Sequence, residues 1–250
     1  MTTKTDASDE KALAPVEETP AAVAEYAPPQ GIVGELDKSD RVIPVCSLVQ
    51  PMSQDKGVEG RYSFPSGVSV ESLNAVVLQI RATRALWLPI DEKPDGPLCG
   101  SNDRVMGRTS DAGRVMGDPS LNGEDMYLPC NECRFEQTAD LFEKIDSLWC
   151  PKGYTLLMYE QDLELPFLYY VKGTAVKPVK RRIVSPALER NEPPWTRPLS
   201  WTIKLVQETG RKYYTPVIEV GDKFAEDDVN HYAMLCAELS SQAAEQEEVT

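Results

Sequence analysis

Four cysteines stand at a spacing that could hold a metal: Cys99, the pair Cys130 and Cys133 with two residues between them, and Cys150. A Cys-x-x-Cys pair can present two thiolates to one ion from a single tight turn, and two more thiolates complete a tetrahedral site. Gly100 and Pro151, each beside one of the four, suit such turns. Four thiolates leave no open coordination position, so the expected ion is a structural Zn2+ rather than a catalytic one. The alternative is four unrelated buried thiols. Glu132 and Asp103 are too loosely placed to be expected as ligands. Cys46 and Cys236 fall in apolar patterns and read as core residues.

Other chemistry is thin. His231 is the only histidine, which excludes most His-based metal sites and catalytic triads. No G-x-S-x-G, no phosphate-binding G-x-x-x-x-G-K-[ST] and no G-x-G-x-x-G after a strand occurs. Asp162 and Glu164 could form the carboxylate pair of a metal-dependent nuclease. They alternate with Leu163 and Leu165, however, and no nearby lysine completes that pattern. No enzyme is expected.

The second constellation interleaves cations with aromatics. Tyr170 and Lys172 share one strand-like run; Trp201 and Lys204 lie in another; Arg211, Lys212 and Tyr214 open a third. Arg81 and Arg84 lie in an earlier run, and Lys177, Lys180, Arg181 and Arg182 form a basic cluster. A basic groove beside aromatic faces is how single strands are held: cations follow the phosphates and rings stack on bases. Because strand neighbours point to opposite faces, at most one of Tyr169 and Tyr170, and one of Tyr213 and Tyr214, can line such a groove. The rival reading is an aromatic core with an ordinary basic surface.

These residues need elements to position them. Strand-like runs cover residues 41–49, 74–88, 154–159 and 167–171, and the clearest hairpin joins 199–207 to 212–220 through a turn at 208–211. Residues 138–148 carry Leu141, Phe142, Ile145 and Leu148 at helical spacing, and residues 224–239 place Val229, Tyr232, Ala233, Cys236 and Leu239 on one helical face. Residues 174–190 are expected to hold a short helix interrupted at Pro186. The span 99–150 is poor in apolar residues and cannot fold on a core of its own, so a metal is its expected organiser. The domain reading is a disordered acidic tail over 1–40, a barrel over 41–221 with a metal-binding insertion at 99–150, a helix over 222–241 and an acidic tail over 242–250.

Charge follows this division. The chain of 250 residues has a net charge of −14, yet residues 171–221 hold ten basic and four acidic side chains, a local field that attracts phosphates. No apolar run approaches the ~20 residues that span a bilayer, so no membrane is expected. No basic-then-apolar leader is present either, and a cytoplasmic protein is expected, with cysteines serving metal rather than disulfides.

Three features together resemble a known family, the phage-type single-stranded DNA-binding proteins. These carry a cysteine-bound zinc insertion in an oligonucleotide-binding (OB) barrel. The features are the order strand, Cys99-Gly-Ser-Asn-Asp, Cys-x-x-Cys, Trp149-Cys150; the basic segment leading to Trp201-Thr-Ile-Lys-Leu and Lys212-Tyr-Tyr-Thr-Pro-Val; and the acidic C-terminal end. Glu132 and Arg134 depart from the small, apolar or proline residues expected at such a knuckle, and the tail lacks a terminal aromatic. The resemblance implies a mainly β (α+β) fold: an OB-like five-stranded barrel with a zinc-stabilised insertion, a C-terminal helix and disordered acidic tails. It implies cooperative coating of single-stranded DNA, with self-association, in DNA replication or recombination. It also implies replication or recombination proteins recruited by the acidic tail, in the cytoplasm of a bacterial or virus-infected cell. The rival is a zinc-stabilised protein-interaction or transcription-regulating module acting on a host polymerase.

Overall fold

The computed structural model describes residues 42–51, 57–87, 96–115, 121, 127–137, 148, 150–208 and 210–249, with side chains described as far as Ser240. The expected N-terminal tail and most of the expected helix over 138–148 lie outside the described residues.

The longest strand, β4 (Leu73–Leu86), organises the rest. It pairs antiparallel with β8 (Lys152–Glu160), with β10 (Leu199–Glu208) and with β5 (Cys99–Ser101). Strand β8 pairs antiparallel with β9 (Leu165–Val171), and β10 forms a hairpin with β11 (Arg211–Val220). At that turn Gly210 takes a φ of +79°, a left-handed conformation that glycine adopts without a Cβ clash. On the far side of β9 lie β1 (Val45–Leu48), parallel to it, then β2 (Tyr62–Ser63) and β3 (Ser69–Val70). Next to β5 follow β6 (Met106–Thr109) and β7 (Tyr127–Pro129). All are joined in one mixed sheet, which backbone pairing does not close. The fold is thus mainly β.

Both faces of β4 are covered, which is why Ala75, Val76, Val77 and Leu78 form an unbroken apolar run rather than an alternation. Leu73, Ala75 and Val77 face an inner core with Met158, Phe167, Tyr169 and Trp201; Val76 and Leu78 face an outer one with Leu157 and Leu168. A register shift between Val77 and Gln79 then moves the inner phase to even residues, beginning with Ile80. This shift decides the site below. It turns Arg81 and Trp87 to the outer face and Arg84 and Leu86 to the inner one.

The sheet leaves a gap between β11 and β1, bridged by side chains. The Gln50 amide imitates a strand: its Nε2 donates to Tyr214 O at 2.9 Å and its Oε1 accepts from Tyr214 N at 2.8 Å.

Two short helices, α1 (Asp111–Val115) and α2 (Arg134–Gln137), lie in the insertion, and from 173 to 190 the chain is helical throughout, as a 3-10 turn, α3 (Val176–Val179), a π turn over Lys180–Val184 and α4 (Ser185–Arg190). The expected break at Pro186 does not occur. Proline can donate no N–H, and the widened π turn just before it re-spaces the backbone so the helix continues. The last helix, α5 (Glu226–Val249), begins with Glu226, Asp227 and Asp228, whose charges favour a helix N-terminus. It lays Tyr232, Leu235, Cys236 and Leu239 on the outer face of the sheet. The helix runs through residues 242–249, where a loose tail was expected, because Ala, Gln and Glu favour helix and no Gly or Pro stops it. Among the described residues no helix is long and apolar enough to cross a membrane.

Candidate metal centre and nucleic-acid surface

The structure brings Cys99, Cys130, Cys133 and Cys150 to one small cavity at the end of the inner face of β4. Local geometry explains each placement. Cys99 opens β5, opposite Leu86 on one side and Thr109 on the other. Cys130 to Glu132 form one 3-10 turn, and Cys133 N donates to Cys130 O at 3.1 Å, which sets the two thiols of the Cys-x-x-Cys pair on one side. Cys130 N donates to Val105 O at 2.8 Å and fastens that turn to the β5–β6 connection. Gly107 is required by crowding: a Cβ there would lie 2.9 Å from Cys99 Sγ and 3.7 Å from Cys130 Sγ. Leu86, Leu98, Leu128, Phe135 and Leu148 form a small apolar cluster around the thiols, so the insertion has more core than its composition suggested.

Two residues passed over in sequence build this scaffold. Asp103, discounted as a ligand, accepts from Val105 N at 2.7 Å, Met106 N at 2.9 Å and Ser101 Oγ at 3.1 Å. The two backbone donors, above all, hold its carboxyl below the usual range. Arg104 donates to Thr83 O at 3.1 Å and also to Gly153 O, and its guanidinium lies 4.7 Å from the centroid of the Tyr154 ring. It locks the insertion to β4 and β8.

All six cysteines are free thiols. Burial pushes Cys99 and Cys150 up to about 12, and raises Cys130 as well. Neighbouring thiolates add to these shifts. Three polar groups oppose them: Thr109 at Cys99, Ser101 at Cys130 and Arg84 at Cys150. Among the described residues no group of three or more His, Cys, Asp or Glu is already arranged to hold an ion. The four thiols line the cavity without converging on one point. The donor set nevertheless fits Zn2+. Four sulfurs line one small cavity, its one carboxylate, Glu136, is taken by Arg84, and three buried donors of the residues beside the sulfurs lack partners: Arg84 Nε, Arg84 Nη1 and Thr109 Oγ1. Cys46 and Cys236 stand apart, the first in the inner core with its thiol raised to about 12 by burial, the second with its Sγ donating to Leu78 O at 3.3 Å.

The residues expected to contact nucleic acid divide into three groups. Trp201 and Arg84 are inside the protein, and this corrects their expected role. Trp201 is fully buried, packed edge-on to Tyr169 at 5.5 Å, because β10 enters the inner core at its pairing with β4. Arg84 is 4% exposed and donates to Glu136 at 2.5 Å. A second group is accessible but engaged. Arg81 donates to Gln79 at 3.1 Å and to Ser240 O of α5 at 3.3 Å. Lys212 is paired with Glu59 at 2.5 Å, and Tyr214 donates to the same carboxylate at 3.0 Å. Hairpin register places Lys212 and Tyr214 on one face of the sheet and Lys204 on the other, so they cannot form a single row.

The third group is exposed: Tyr170, Lys172, Lys177, Lys180, Arg181, Arg182, Lys204 and Arg211. Tyr170 lies on the outer face of β9, Lys172 follows the last residue of that strand in extended backbone, and Lys172 Nζ lies 5.3 Å from the centroid of the half-exposed Trp87 ring. Trp87 was not singled out as a contact. Its even spacing from Arg81 in the same run, which puts both on one face of an extended strand, was the available signal.

His231 is exposed on α5, and Asp162 and Glu164 lie in the turn between β8 and β9, where Asp162 accepts from Asn74 Nδ2 at 3.5 Å. Compared with known proteins, the chain matches no family model, no curated sequence and no solved structure.

Proposed function

We propose that the protein binds single-stranded DNA and serves DNA replication or recombination by coating exposed strands, with its four-cysteine centre holding a structural Zn2+. The observation that carries this reading is the outer-face surface of Trp87, Tyr170 and Lys172. The accessible Trp87 ring, with the Lys172 ammonium 5.3 Å from its centroid, and the exposed Tyr170 ring offer bases a π-face and a phosphate a positive charge, independent of base sequence. The exposed cations of 177–182 follow directly along the chain. Connectivity supports it too. A meander β4–β8–β9, a helical crossover and the hairpin β10–β11, with β10 antiparallel to β4, is the order of an OB-like five-stranded barrel. Gln50 and the parallel strand β1 stand where the last strand would close it.

Cys99, Cys130, Cys133 and Cys150 would hold the ion, which supplies the cross-link that a span so poor in apolar residues lacks. Four protein ligands leave no place for a reacting water, so a catalytic role is not proposed.

The test is anisotropy titration of labelled single- and double-stranded oligonucleotides over a range of salt. Lys172→Ala should weaken single-strand binding and reduce the salt slope by about 0.7. Trp87→Ala should cost ~1–3 kcal/mol with the slope unchanged. Equal binding of both variants and the wild type would refute the surface. No single-strand binding by zinc-loaded wild type would favour a zinc-stabilised protein-interaction module.

A further inference from the structure

The cysteine centre contains a cation of its own. Arg84 projects from the inner phase of β4 into the same cavity as the four thiols, and it is 4% exposed. Its Nη2 donates to Glu136, while Nε and Nη1 are buried without a hydrogen-bond partner. Thr109 Oγ1 is a second buried donor without a partner, on the residue facing Cys99 across the β5–β6 ladder. A buried guanidinium with two idle N–H groups is costly. A neutral thiol is a poor acceptor, whereas a metal-bound thiolate is a good one. A divalent ion with four thiolates also carries two excess negative charges, which burial penalises unless a cation or directed dipoles offset them.

We propose that Arg84 is a positioning residue of the metal centre: its Nε and Nη1 donate to thiolate sulfurs, Glu136 orients its fork, and Thr109 adds a hydroxyl donor at Cys99. The inference rests on the metal reading above. It selects a divalent cation of zinc class, since a centre with this buried positive charge beside it suits an ion whose thiolate complex is an anion. It also accounts for an arginine, not an aliphatic residue, at the inner end of a strand that is otherwise apolar on that face. Loss of an outer-shell partner of this kind typically lowers metal affinity 10–100-fold.

The experiment uses the full chain and Co2+ as the probe, read by its thiolate-to-metal charge-transfer and d–d absorption, with chelator competition for affinity. Arg84→Met removes the donors and keeps the length of the side chain. It should bind Co2+ 10–100-fold more weakly and move the charge-transfer band to longer wavelength, because sulfur lone pairs released from N–H donors lie higher in energy. Arg84→Lys should recover part of both changes. Thr109→Val should give a smaller shift in the same direction, and it decides the matter if Arg84→Met fails to fold. Wild-type affinity and an unmoved band in folded Arg84→Met, or in Thr109→Val where that variant must decide, would overturn the inference. A wild-type protein with no thiolate band at all would overturn the metal reading, and this with it.

Discussion

Replacing Trp201 by alanine separates a core residue from a stacking residue. The side chain is fully buried, wedged among Leu73, Ala75, Tyr169 and Ile218. An indole buries roughly 200 Å2, and at ~25 cal/mol per Å2 its removal from water is worth about 5 kcal/mol. Measured Trp-to-Ala losses in cores run ~3–5 kcal/mol. One feature of this site lowers the figure. Trp201 Nε1 is buried without a hydrogen-bond partner, a defect of ~1–3 kcal/mol that alanine removes. The expected net loss is therefore about 2–4 kcal/mol. With a urea slope of about 2 kcal/mol/M, the unfolding midpoint should fall by roughly 1–2 M. Trp201→Phe deletes the idle donor, keeps a ring against Tyr169, and should lose no more than ~1.5 kcal/mol. Urea titrations followed by circular dichroism give the midpoints; oligonucleotide affinity is then measured where each variant is folded, and it should be unchanged. An alanine variant with the wild-type midpoint and lost binding would refute the argument and return Trp201 to the groove.

Two further outcomes concern the thiols and the last helix. In metal-free protein, Cys99 and Cys150 are held up to about 12 against ~8.5 in an open chain. Their contribution to stability is full below pH ~8.5 and is lost as pH rises toward 12, so chelator-treated wild type should lose Tm over pH 8.5–10.5 faster than a chelator-treated Cys99→Ala/Cys150→Ala variant; parallel Tm curves would count against it. The metal-loaded protein follows the opposite sign, because its ligands must be deprotonated, and should release the ion as pH falls, read with a chromophoric chelator. In α5, Tyr232 is bonded to Gln161, which lies beside Asn74 at the start of β4, Cys236 to Leu78 and Ser240 to Arg81, so residues 242–249 continue toward the end of β4 that bears Trp87. Deleting 242–250, which removes three glutamates, should tighten single-strand binding at low salt and by less at high salt, where the Debye length falls below ~10 Å; equal affinities at low ionic strength would leave the segment a solubilising one.

Spacing and periodicity were enough for several local features, though not for the helix that continues through Pro186 or for the end of α5. The Cys-x-x-Cys pair with two outlying cysteines marked four thiols that line one cavity, although only folding brings Cys99 and Cys150 to the pair. Alternation at 199–207 and 212–220 marked the hairpin, and the 3.6-residue pattern of 224–239 marked the helix that covers the sheet. Each is a property of near neighbours, so a single chain suffices to read it. Which face a side chain occupies was decided only in three dimensions. One register shift between Val77 and Gln79 sends Arg84 to the thiols and Trp87 to the surface, although both had read as members of one strand-like run. Trp201 is in the core because β10 pairs with β4, a contact between segments over a hundred residues apart that no local pattern encodes. Arg104 gains its role the same way: its guanidinium is informative only once Thr83 and Gly153 have been folded to within reach, whereas Asp103 binds backbone groups only two and three residues on. Hydrophobic pattern sets how much of a strand is buried, while pairing register sets which half, and register is a property of the whole sheet.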